Sequence, residues 1–261
     1  MDDQLAKLLK YLEVERIDKY LFIGRSPSIP ARVFGGQVLA QALNAAIRTV
    51  DEERQAHSMH AYFLRPGNPK RQIVYEVDPI RDGRGFTTRR VVAKQNGRAI
   101  FNTSISFQIP ETGLEHQLDM EMPAGPETLE PDWDFWGRMD AEYPDRFPIQ
   151  KAWPIDRRPL QRPDYLNPES DVGDPRTACW LKTNGELGED IIQHQTLLAY
   201  MSDMTLMGSA LSCQDVDLGS IHGQIQDTER CTWRTSVVQH PTSRACRGSA
   251  PALSTAYMDG D

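Results

Sequence analysis

The stretch FGGQVLAQALNAAIRTV (34–50) decides the fold, together with HSMHAYFL (57–64), QIVYEVDP (72–79), FTTRRVVAKQ (86–95) and AIFNTSISFQ (99–108) after it. In the first segment Val38, Leu39, Ala42, Ala46 and Val50 recur at helical spacing. Ala40, Ala42, Ala45 and Ala46 keep that helix slim, so something else can wrap it closely. In the four later segments the apolar period switches from 3.6 to 2, which marks strands. RPGNP (65–69), DGRG (82–85) and NG (96–97) supply turn chemistry between them. A central helix followed by a long antiparallel meander predicts an α+β layer arrangement.

Working outward, Leu5, Leu8, Leu9, Leu12 and Ile17 predict a helix from residue 3 to about 18, capped by Asp2 or Asp3. Residues 20–33 hold Pro27 and Pro30 and read as irregular chain or an edge strand. On the other side, Glu111–Arg146 carries eleven acids against two arginines, a net of −9 in a chain whose total is −8. The acidity therefore belongs to one connecting segment. That segment includes a short helix near 132–142, anchored by Trp133, Phe135 and Trp136, and a Pro/Arg-rich stretch (Trp153–Asn167) follows it. Order returns with a strand at Thr177–Thr183 and a helix from about Glu189 to Leu211. The expected division is 1–110 as a first helix-plus-sheet unit, 111–175 as linker, and 176–261 as a second unit.

The second sheet is due after Leu211. Residues 213–261 instead hold three of the four cysteines and many Ser, Thr and Arg, and HPTSRACRGSAPALSTA (240–256) shows no strand alternation. Two explanations stand: a disordered C-terminus, or a tail read out of frame or through an unspliced segment. The second fails if no other frame of the coding DNA encodes alternating apolar strands.

Composition limits the function classes. With 261 residues, 39% hydrophobic and 25% charged, the chain can bury a core and is not disordered throughout. The purest apolar run, Leu197–Leu211, is too short to span a bilayer and contains a carboxylate. The acidic N-terminus has no secretory h-region, and four scattered cysteines suit a reducing cytosol. No long basic face exists, which argues against nucleic acid. A local basic run, Arg81–Arg98, has six basic residues and one acid, with Arg89 and Arg90 at its centre. It reads either as a solvated hairpin edge or as a docking surface for a phosphorylated cofactor such as coenzyme A.

Two features point to chemistry. Asp203 is the only charge in the nineteen residues from Gln195 to Cys213. A carboxylate in apolar surroundings is a candidate base or water-orienting group, unless it simply sits at a helix kink or an exposed edge. Gly35 and Gly36 open the central helix. There they either admit a ligand to free N–H groups and a favourable dipole or serve close packing alone. His57 and His60, three apart on a strand, should face opposite sides and so not share a metal. Cys179 reads as a packed thiol. GxSxG, HExxH and P-loop motifs are absent from the sequence.

Together the N-terminal helix, RVFGGQVLAQAL, HSMHAYFLRPGNPK, RDGRGFTTRRVVAKQNGRAIFNTSISFQ and LLAYMSDMTLMGSAL resemble the acyl-CoA thioesterase II family over roughly residues 5–212. The resemblance implies an α+β double hotdog fold, in which each half wraps a sheet around one long helix. It also implies hydrolysis of fatty acyl-CoA to fatty acid and coenzyme A without metal, cofactor or covalent intermediate. An oligomer of this chain, a cytosolic setting and no membrane insertion or nucleic-acid partner go with it. The family holds its water with an Asp, a Thr or Ser, and a Gln. The Asp corresponds to Asp203 in YMSD. Thr228 in QIQDTERCTW is the nearest match to the hydroxyl residue, one position closer to Trp233 than the family pattern and lacking the Asp-His that follows it. The Gln motif, of V-A-S-x-x-Q-E-G type, is missing.

The family pattern is thus expected to be lost from roughly residue 212 or 227, leaving the second hotdog incomplete and the chain weakly active or inactive. Losing one member of a water-positioning set costs on the order of 10²–10⁴ in rate. Two other readings stay open: a non-catalytic acyl-CoA-binding hotdog module, and a hotdog hydratase or dehydratase. The second usually needs a D-x-N-x-x-H motif, which this sequence lacks.

Overall fold

The computed structural model describes residues 3–27, 32–114, 123–142, 154–161 and 178–204, and the backbone of 234–238 and 252–257. In chain order the elements are α1 (Asp3–Leu12), β1 (Glu15–Asp18), β2 (Leu21–Gly24), α2 (Gly35–Ile47), β3 (Gln55–Phe63), β4 (Ile73–Asp82), β5 (Phe86–Gln95) and β6 (Arg98–Gln108). They are followed by a 3₁₀ turn (Pro126–Thr128), α3 (Asp132–Glu142), β7 (Ile155–Pro159), β8 (Ala178–Thr183), α4 (Ile191–Met201), β9 (Arg234–Val238) and β10 (Ala252–Tyr257). The chain forms two compact units, Lys7–Met120 with Glu189–Met201, and Met1–Ala6 with Glu121–Gly188 and Ser202–Asp261.

In the first unit the sheet order is β1-β2-β4-β5-β6-β3, antiparallel throughout. Alternation sets which face each strand buries. On β5, Thr87, Arg89, Val91, Ala93 and Gln95 are buried, and the residues between them are more exposed. The four alanines of α2 are fully buried, so close approach of the sheet accounts for their small size. Phe22, Tyr75, Phe101 and Phe107 fill the space around them, each apolar ring contributing about 1.5–3 kcal/mol on burial. Asn96 (φ 50°) and Gly97 (φ 72°) make the two-residue turn between β5 and β6, the backbone that an Asn-Gly hairpin requires.

Three expectations are corrected here. The strands do not form a simple meander: β3 pairs with β6 at the far edge, and β4 lies beside β2. The connection 64–72 is too long for a tight hairpin and frees β3 to cross to that edge. The N-terminal helix stops at Leu12, and Glu15–Asp18 is an edge strand that leaves Ile17 exposed. Residues 21–24 form an interior strand, not an edge one.

In the second unit β7, β8, β10 and β9 form a four-stranded antiparallel sheet. β7 falls in the Pro/Arg-rich stretch, where the sequence offered no strand signal. β10 lies almost wholly within 240–256, so the expectation of no strand there is corrected: Ala252 pairs with Leu181 and Thr255 with Ala178. Among the described residues this sheet has four strands, against six in the first unit. α3 holds to its expected span, and Trp180 Nε1 donates to Ala124 O at 2.9 Å, tying β8 to the segment before it.

Candidate active site

α4 buries Thr196, Leu197, Tyr200 and Met201. The apolar pattern predicted a helix to Leu211, yet the helix ends at Met201 and residues 202–204 turn. Residues 205–211 lie outside the described residues. Asp203 therefore stands in a turn closing α4, half-buried, beside buried Ser202. On its other side, the carbonyl of Met204 accepts a hydrogen bond from Arg157 Nη1 at 2.9 Å. Arg157 is itself paired through Nε with Asp132, which is buried at the start of α3. Thr228 falls outside the described residues.

Gly35 and Gly36 begin α2 behind Phe34, whose extended backbone (φ −68°, ψ 132°) forms the cap without a side-chain bond. A Cβ on Gly36 would run into the backbone carbonyl of Tyr200 and the ring of Phe34. The two rings pack edge to face with centroids 5.1 Å apart. Close packing of α4 against α2 thus requires glycine at position 36.

Arg89 and Arg90 point to opposite faces. Arg89 is buried at the carboxyl end of α2, where its guanidinium donates to Thr49 Oγ1 at 2.9 Å, Thr49 O at 3.0 Å, Arg81 O at 3.3 Å and Thr88 O at 3.2 Å. It also pairs with Asp82 at 2.7 Å. A cation here complements the negative end of the helix, and its fork of donors is taken up internally. Arg90 has 55% of its side chain exposed and pairs with Asp78 at 2.8 Å.

Sequence reasoning missed a buried polar cluster on α2. Tyr75 OH donates to Gln41 Oε1 at 2.7 Å, while Gln41 Nε2 donates to Arg25 O at 3.0 Å and to Tyr11 O. Gln37 Nε2 donates to Arg25 O at 3.1 Å and Ser26 Oγ at 2.9 Å. Burial pushes the Tyr75 hydroxyl well above its ordinary range. The available signal was the pair of glutamines, i and i+4, in a mostly apolar helix meant to be wrapped.

The opposite-face argument for the histidines is corrected. The β3–β6 register slips between Ala56 and Ser58, so His57 is the extra residue of a bulge. His57 Nε2 lies 2.8 Å from Ser106 Oγ, and His60 stands opposite Ser104 two residues along the same strand. Both imidazoles are therefore on the outer face, exposed. Among the described residues no group of three or more His, Cys, Asp or Glu is placed to hold a metal ion. Cys179 is buried in β8, where its Sγ lies 3.3 Å from Trp180 O.

Comparison with known proteins agrees with this architecture. The acyl-CoA thioesterase N-terminal domain matches residues 23–108, and a second acyl-CoA thioesterase domain matches 150–248. The second match extends past residues 212 and 227. The chain is 39% identical to acyl-CoA thioesterase 2 of Haemophilus influenzae over 214 residues, 81% of this chain and 74% of that one. It is 36% identical to human acyl-coenzyme A thioesterase 8 over 212 residues, 77% of this chain and 66% of that one. Among solved structures it is similar to an acyl-CoA thioesterase II from Mycobacterium marinum, with a TM-score of 0.63, 26% identity, and 95% and 96% of the two chains covered. With a helix-wrapped antiparallel sheet, a second sheet of four strands among the described residues and these relatives, the chain belongs to the acyl-CoA thioesterase family and has its α+β double hotdog fold.

Proposed function

We propose that this chain hydrolyses fatty acyl-CoA thioesters to free fatty acid and coenzyme A, with Asp203 as the carboxylate that orients and deprotonates the attacking water. The water oxygen bonds to the thioester carbonyl carbon and the carbon–sulfur bond breaks. The water proton passes through the carboxylate to the departing thiolate. The observation that carries this reading is the setting of Asp203: half-buried, in the turn closing α4, and the single charge in an apolar run. A carboxylate partly withdrawn from bulk solvent can hold one water in one orientation.

Within the same reading, Thr228 shares that water, and the positive end of the α2 dipole at Gly35 and Gly36 favours negative charge developing on the substrate. Arg90 receives the phosphates of coenzyme A, and Arg89 holds the strand behind it. A cytoplasmic setting and a homo-oligomeric state belong to the proposal too. Among the described residues no helix is long and apolar enough to cross a membrane. The names of the relatives support the substrate class.

Thiol release from palmitoyl-CoA by the purified 261-residue chain tests the proposal. Without the family Gln motif, wild type should run below several turnovers per second. Asp203→Asn should slow it by a further factor of about 10²–10⁴ with KM little changed. Binding of a non-hydrolysable analogue with no thiol release, or release indifferent to Asp203→Asn, would replace this mechanism with acyl-CoA binding or with another catalytic group.

A further inference from the structure

We infer that Arg157 is the positioning residue for Asp203, held in place by Asp132, an inference that rests on the catalytic reading of Asp203 above. The chain of contacts is short. Asp132 is the first residue of α3 and is buried. Its carboxylate pairs with Arg157 Nε. The other arm of the same guanidinium, Nη1, donates to Met204 O at 2.9 Å, and Met204 is bonded directly to Asp203.

The chemistry suits a clamp. A turn past the end of a helix leaves backbone carbonyls without intrahelical partners, and a carbonyl next to the working carboxylate is free to swing unless something holds it. A guanidinium is rigid and planar, so fixing Nε fixes the direction of Nη1. The Asp132 carboxylate serves that end because its own place is set by α3. It also compensates the charge of a side chain only 29% exposed. The neighbouring arginine gives a contrast. Arg158 pairs with Asp156 at 2.9 Å and donates to Pro126 O at 2.7 Å, so it braces the 3₁₀ turn and does not reach residues 202–204. One strand thus presents two half-buried arginines, each paired with a carboxylate, and one of them ends on the turn that carries Asp203.

A misplacement of about 1 Å costs a positioned group on the order of 10²-fold in rate. Arg157→Ala should therefore lower kcat on palmitoyl-CoA by about 10–100-fold with KM within about twofold. Arg157→Lys, which keeps the charge but replaces the planar fork by a single ammonium, should recover part of the loss, and Arg158→Ala should leave kcat within about twofold. In an Asp203→Ala background Arg157→Ala should have no further effect on kcat. Amide hydrogen exchange of residues 202–204 should be faster in Arg157→Ala than in wild type or Arg158→Ala. Equal loss of kcat with and without Asp203, or exchange at 202–204 unchanged by Arg157→Ala, overturns the inference. If wild type shows no release above Asp203→Ala, the catalytic reading of Asp203 fails instead, and exchange alone then decides whether Arg157 holds the turn.

Discussion

The backbone carbonyl of Tyr200 occupies the space that a side chain on Gly36 would need. Gly36 is thus fixed by helix packing, whatever else the start of α2 does. Gly36→Ala puts a methyl group against backbone, which cannot rotate away, and overpacking of this kind costs about 1–3 kcal/mol. Thermal unfolding should move down by several degrees, since about 1 kcal/mol shifts a chain of this size by roughly 2–4 °C. If Gly36→Ala melts with wild type yet loses thiol release, packing is not the reason for glycine and ligand approach is.

Tyr75 gives the fold an alkaline limit. Burial holds its hydroxyl neutral well above the pH at which an unfolded tyrosine ionises. Above about pH 10 the unfolded chain loses that proton and the folded chain keeps it. The native state then binds more protons, so stability falls as pH rises, by up to about 1.4 kcal/mol per unit for this one group. Below pH 10 the contribution is fully present. Urea unfolding of wild type and Tyr75→Phe at pH 9 and 11 checks it. The wild-type midpoint should drop more steeply than the variant's, and parallel drops would remove Tyr75 as the cause.

Arg89 and Arg90, adjacent in sequence, should separate cleanly by what is measured. Arg89→Ala strands the carbonyls of Thr49, Arg81 and Thr88 near the end of α2. These carbonyls are only partly buried, so each lost bond costs nearer the lower end of about 1–3 kcal/mol, and the melting temperature should fall. Arg90→Ala removes an exposed ion pair of small worth, so stability should barely change while KM for acyl-CoA rises. A raised KM in Arg89→Ala at unchanged stability would reverse these roles.

Much of the first unit is legible because its elements bury one face each: α2, β5, β6 and the Asn96–Gly97 turn follow from period and turn chemistry alone. What escaped is non-local. Nothing in the apolar pattern of His57–Leu64 says that the strand crosses to the far edge, and a bulge at His57 reverses a side-chain direction without altering the sequence pattern. β7 reads IDRRP, a strand whose half-buried arginines are paired with Asp132 and Asp156. Charge pairing across 25 residues leaves no periodic trace. The end of α4 was overrun for a related reason: Met204–Leu211 stays apolar, so period alone gave no stop at Met201. Asp203 was found by its isolation in that run, whereas Arg157 lay hidden in a stretch that looked like linker.

Gln95 is a buried polar residue at the end of β5. Its Nε2 donates to Asn68 O at 2.9 Å and Arg71 O at 3.0 Å, and its Oε1 accepts from Asn68 N at 2.8 Å. The loop it clamps offers Gly67 O to Val33 N at 3.0 Å, just before the cap of α2. Gln95 therefore secures the entry to the central helix at one remove. Gln95→Ala should cost about 1–3 kcal/mol through stranded backbone groups and should speed amide exchange at Val33 and Asn68. Gln95→Glu is the sharper variant. At neutral pH it keeps the acceptor for Asn68 N–H but turns a carboxylate toward two carbonyls, so it should be less stable than Gln95→Ala. Those carbonyls raise the folded-state pKa of the new carboxyl, so the native state takes up a proton more readily than the unfolded chain and stability returns as pH falls. Urea midpoints at pH 5 and 7 should therefore close the gap between Gln95→Glu and Gln95→Ala on acidification. A Gln95→Glu chain as stable as wild type at pH 7 would mean that the loop does not depend on the two donated bonds.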